Sequence, residues 1–77
     1  MELEYSEHWK SKKKYRLDIS DDLILYAITY SNALRDKHWP DALNAICRVP
    51  PPGRIIKVVY KKTGKEKYKV ITAYWLD

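Results

Sequence analysis

At 77 residues the chain is read as one domain, residues 1–77, with a net charge of +5 and a single cysteine. A chain this short buries a modest share of its surface and leans on good packing, an oligomer such as a homodimer, or a binding partner. Cys47 alone excludes an internal disulfide, no window approaches the ~20 apolar residues of a membrane span, and the start MELEYSEHW lacks a signal-peptide pattern; the expectation is a soluble cytoplasmic protein.

ELEY at residues 2–5 reads as a short strand. Ser6 suits a helix N-cap, and Glu7 behind it complements the helix dipole, so a surface helix is predicted through EHWKSKKKY with Trp9 as its apolar anchor. Ser20 followed by Asp21 and Asp22 repeats the start signal, and LILYAITY then predicts a core-filling helix to Ser31. ALRDKHW before Pro40 is a candidate edge strand. DALNAICRV, stopped by Pro50-Pro51-Pro52-Gly53, and RIIKVVYKK and KYKVITAYW, separated by a turn around Thr63-Gly64, predict an antiparallel meander. The predicted fold is α+β: a short N-terminal strand, two helices, then the meander with both helices on one face.

Charge is unevenly spread. Residues 1–47 hold 7 Lys/Arg against 8 Asp/Glu, whereas residues 48–77 hold 8 against 2. Such a patch favours polyanions, the competing reading being a solvated face that only maintains solubility. Strict alternation along the strands, with Val49 paired to Arg54 and Lys62 to Lys67, puts Leu43, Ala45, Cys47, Val49, Ile56, Val58, Tyr60, Ile71, Ala73 and Trp75 on a packing face. The opposite face then carries Asn44, Ile46, Arg48, Ile55, Lys57, Val59, Lys61, Tyr68, Val70, Thr72 and Tyr74, with Lys67 and Lys69 at the hairpin tip of the packing face. Cations, hydroxyls and tyrosine rings interleaved in this way suit phosphates and unpaired bases.

The segments EYSEHWKSKKKYRLDISDDL, PGRIIKVVY and KVITAYW resemble the small ribonuclease toxins of toxin–antitoxin systems. The resemblance is to the RelE/ParE superfamily, and within it to the BrnT-like branch and its small uncharacterised relatives. It spans nearly the whole chain, with Gly53-Arg54 in the place of the family's Gly-Arg element and Thr72-Ala73 in that of its Ser/Thr-Ala element. It implies a metal-independent endoribonuclease that cuts messenger RNA, often on the ribosome, through the 2′-hydroxyl, relying on Arg, Lys and Tyr and held in check by a cognate antitoxin protein. The pattern departs at Tyr74-Trp75, where BrnT-like chains often carry Arg.

Among residues of the polar face, Arg48, Lys57, Thr72 and Tyr74 are the catalytic candidates, the cations neutralising phosphorane charge and Tyr74 moving a proton. Asn44, Arg54, Lys61, Tyr68, Lys12 and Lys13 are the RNA-binding candidates. Imidazole is the side chain suited to proton transfer at physiological pH, so His8 is a further candidate, against a surface-helix role. His8, His38 and Cys47 lack the close spacing of metal-ligand pairs, so neither metal nor cofactor is expected. Trp9, Trp39 and Trp75 are assigned to packing rather than base stacking, and Gly53 to turn geometry. The alternative function is a non-catalytic module that binds RNA or an acidic protein on the same face. A membrane-surface role fits least, because no amphipathic helix carries a bulky apolar stripe beside its lysines.

Overall fold

The computed structural model describes residues 2–31, 33–38, 41–49 and 53–76; Asn32, Trp39, Pro40 and Pro50–Pro52, on which sequence expectations also fell, lie outside the described residues. In chain order the elements are β1 (Glu2–Tyr5), α1 (Glu7–Lys13), α2 (Asp21–Tyr30), β2 (Ala33–Arg35), β3 (Leu43–Val49), β4 (Arg54–Gly64) and β5 (Lys67–Trp75). They build the expected α+β fold, with β2 to β5 antiparallel in one sheet of order β1-β5-β4-β3-β2. β1 adds to β5 in parallel, which extends the meander into a mixed sheet.

Both helices start where the serine caps predicted. The Ser6 hydroxyl accepts from the Trp9 amide at 3.1 Å and the Ser20 hydroxyl from the Leu23 amide at 3.2 Å. Ser6 works twice, because its hydroxyl also donates to the Ile71 carbonyl at 2.9 Å, on the stretch of β5 beyond its pairing with β1. α1 ends at Lys13, short of the predicted Tyr15, and the chain turns through Lys14 and Tyr15 towards α2. The helices thereby carry the chain from one edge of the sheet, at β1, to the other, at β2, across a single face.

That face holds the core. Trp9 is fully buried although the rest of α1 is polar, and Ile24, Ala27 and Ile28 line one side of α2 at helical spacing. They meet Ala45, Ile56, Val58, Tyr60, Val70 and Ala73 of the sheet. At the β3–β4 turn Gly53 has φ +91°, which a side chain resists, and its amide donates to the Val49 carbonyl at 2.9 Å. Val49 pairs with Arg54 as predicted.

Strict alternation fails at one residue of β5. Val59 pairs with Thr72, but Tyr60 pairs with Val70, so Ile71 is an extra residue in the strand. One extra residue reverses the alternation beyond it. Val70 and Tyr68, expected on the polar face, therefore turn to the helix side, where Tyr68 meets Tyr60 edge-on at 5.6 Å between ring centroids. Ile71, expected in the main core, lies instead in a small separate cluster with Ala42 and Val59. Lys69, expected on the packing side, pairs with Lys61 on the open face. β4 also runs on through Gly64, so Lys62 faces Tyr68 rather than Lys67, and the tight turn falls at Lys65-Glu66 with Glu66 at φ 63°.

Candidate nucleic-acid interface

The side of the sheet away from the helices has an apolar floor and a cationic frame. The floor is the Ala42, Val59 and Ile71 cluster. Lys57, Lys61 and Lys69 stand around it, the first two half-buried and the third exposed. Among the described residues these three lysines join no ion pair, unlike Lys13, 3.5 Å from Asp21, and Arg54, 3.5 Å from Asp18, on the helix side.

Lys57 and Tyr74 are direct cross-strand partners, with the Lys57 ammonium 5.8 Å from the ring centroid. Arg16, which follows α1, reaches the same ring, its guanidinium carbon lying 5.9 Å from the centroid. The Arg16 guanidinium is fixed there by donating to the Ala73 carbonyl at 3.0 Å and the Thr72 hydroxyl at 3.3 Å. Tyr74 therefore has one cation within 6 Å from β4 and another from the α1–α2 connection.

Two cavities flank this strip. One of about 290 Å³ is lined by Ser6, His8, Lys61, Lys69 and Ile71. It joins His8 to the open face, a placement that sequence reasoning had left undecided. The other, of about 300 Å³, is lined by Leu34, Arg35, Asp36, Lys37, His38, Asn44 and Lys57.

The four candidate catalytic residues do not form one cluster. Lys57 and Tyr74 are together, but Thr72 is buried with its hydroxyl bonded to Arg16. Arg48 is exposed and donates to the Gly53 carbonyl at 2.8 Å, bracing the β3–β4 turn. Of the RNA-binding candidates, Lys61 and Asn44 are on the open face, and Lys12 is exposed on α1. Lys13 lies over Tyr5 at 4.4 Å on the helix side. Arg54 stacks over Trp75 at 4.2 Å, and Trp75 Nε1 donates to the same Asp18 at 2.7 Å, so Arg54 closes a structural triad. Tyr68 leaves the interface for the reason given above.

Arg16 and Lys69 are the residues that sequence reasoning missed. Arg16 closed a local basic run that reads as helix surface, and its bond to β5 spans 57 positions of sequence. Lys69 was on the wrong face because of the bulge.

Two phenols on the helix side are held neutral. Burial, and then a hydrogen bond and charge from Asp21, push Tyr5 up to about 12. Burial, with Tyr68 adding to it, also raises Tyr60.

Among the described residues no group of three His, Cys, Asp or Glu side chains is placed to hold a metal ion, and no helix is long and apolar enough to cross a membrane. No protein-family model, no curated protein and no solved structure matches the chain.

Proposed function

We propose that the open face binds single-stranded RNA and that the chain is a toxin-type endoribonuclease of the RelE/BrnT kind. The observation that carries this reading is the strip Lys57–Tyr74–Arg16, cationic groups around one phenol on a sheet face that the helices leave bare. Phosphates bind along Lys57, Lys61 and Lys69, and the half-buried Tyr74 ring offers a face for a base to stack on. In cleavage without a metal, the 2′-oxygen attacks the adjacent phosphorus and the bond to the 5′-oxygen breaks, leaving a cyclic phosphate and a 5′-hydroxyl. Lys57 and Arg16 offset the charge that builds on the phosphoryl oxygens. The Tyr74 hydroxyl gives its proton to the leaving 5′-oxygen and regains the proton that the 2′-hydroxyl loses. Thr72 and Arg48 then act as positioning residues, one orienting Arg16 and the other shaping the turn. A cognate antitoxin that presents carboxylates to this face would compete with RNA for the same lysines.

A second reading has an observation of its own. Two of the four candidate catalytic groups, Arg48 and Thr72, are already committed to internal hydrogen bonds. That favours a module that binds RNA or an acidic protein segment without cutting. Inducible expression in a bacterial host separates the two readings, comparing wild type with Lys57→Ala/Tyr74→Phe for growth and mRNA integrity. Growth arrest with mRNA loss, relieved in the variant, is the expected outcome. Normal growth and intact mRNA, from soluble folded protein, would move the assignment to the binding module.

A further inference from the structure

Asn44 is out of balance with its surroundings. It is only 9% exposed, and its side-chain amide oxygen is buried without a hydrogen-bond partner. Folded proteins rarely leave such an acceptor unmet, because burial removes the water that would satisfy it. The neighbours explain nothing about the choice of residue: Asn44 pairs with Leu34 on one side and Val59 on the other, both apolar. An apolar side chain would suit this position in the sheet better. Asn44 does, however, line the 300 Å³ cavity that Asp36 and Lys57 also line.

We infer that this cavity takes one unpaired RNA base carrying an exocyclic amine, adenine or cytosine, and that Asn44 determines the preference; the inference rests on the RNA-binding reading above. The chemistry is local. The Asn44 oxygen needs an N–H donor; the Asp36 carboxylate on the same lining already accepts from the His38 amide at 2.8 Å and adds negative charge beside that oxygen. Adenine and cytosine offer an amine beside a ring acceptor, which the Asn amide meets through its two ends. Uracil has a carbonyl where the amine would be, and that oxygen would oppose the acceptors. Leu34 supplies apolar contact for the ring, and Lys57 at the rim is placed for the phosphate of the same nucleotide.

The test uses fluorescence anisotropy with labelled 2′-O-methyl oligomers, which lack the free 2′-hydroxyl that cleavage needs. Three sequences are compared: all uridine, the same with one central adenosine, and the same with purine riboside, which is adenosine without its amine. Wild type should bind the adenosine oligomer about tenfold more tightly than either of the others. Asn44→Leu, an apolar stand-in of the same shape, should abolish the preference and raise the melting temperature by several degrees. Lys57→Ala should weaken all three oligomers alike. Equal binding of adenosine and purine riboside by wild type, with Lys57→Ala still weakening both, would overturn the base pocket and leave RNA binding intact. A melting temperature lowered by Asn44→Leu would overturn it too, since the amide would then serve the fold. Failure of every oligomer to bind would overturn both readings.

Discussion

The two faces of this one sheet are built on opposite rules. On the helix side, charge is closed on itself: Trp75, Asp18 and Arg54 form a triad, and Lys13 meets both Asp21 and Tyr5. On the open side, Lys57, Lys61 and Lys69 stand over a small apolar cluster and join no ion pair among the described residues. The difference follows from topology. Because both helices cross from the β1 edge to the β2 edge over the same face, folding is settled on that face and the other is released from it. Changes on the two faces should therefore separate stability from function.

The largest effect belongs to the packing face. Trp9→Ala removes the largest fully buried side chain and should cost about 3–5 kcal/mol, enough to unfold most of so small a domain, as read by chemical denaturation. If the protein instead unfolds at nearly the wild-type denaturant concentration, the core has been misplaced. On the ribonuclease reading proposed above, Tyr74→Phe or Lys57→Ala on the open face should slow RNA cleavage about a hundredfold while leaving stability within about 0.5 kcal/mol of wild type. A drop in melting temperature that tracks the loss of activity would erase the contrast between the faces. A smaller change sharpens the description of the triad: Trp75→Phe keeps an aromatic ring under Arg54 but loses the indole N–H bond to Asp18, for a loss of about 1 kcal/mol. RNA affinity should not move with it.

The smallest effect appears only in alkali. Tyr5 is held at about 12 against an ordinary value of 10.0, and Tyr60 is also raised, so the fold favours both phenols in their neutral form. That contribution is complete below pH 10 and is lost as the pH climbs towards 12. Thermal unfolding at pH 7 and pH 11 should show a smaller alkaline drop for Tyr5→Phe than for wild type. An identical drop would mean that Tyr5 is as solvated in the native chain as in the unfolded one.

Local signals in the sequence carried much of this. The serine caps of both helices, the Gly53 turn and the pairing of Val49 with Arg54 follow from neighbouring residues alone. Alternation along β3 and β4 also put Lys57, Lys61 and Asn44 on the correct face. The bulge at Ile71 was not legible, because Val70, Ile71 and Thr72 are all β-branched and suit either side of a sheet. Its consequence was large, moving Tyr68 off the open face and Lys69 onto it. Arg16 was hidden for a different reason. Its role depends on the stretch of the β5 edge that β1 leaves uncovered, because their parallel pairing stops at Tyr5 and Val70.

The central claim is that RNA sits on the lysine face and not on the helix side. The most direct test is amide chemical-shift mapping by NMR during titration with a short 2′-O-methyl single strand. The account predicts that the largest shifts fall at Lys57, Val59, Lys61, Lys69 and Tyr74, with α2 nearly silent. Shifts concentrated on α1 and α2, with the open face unchanged, would contradict it.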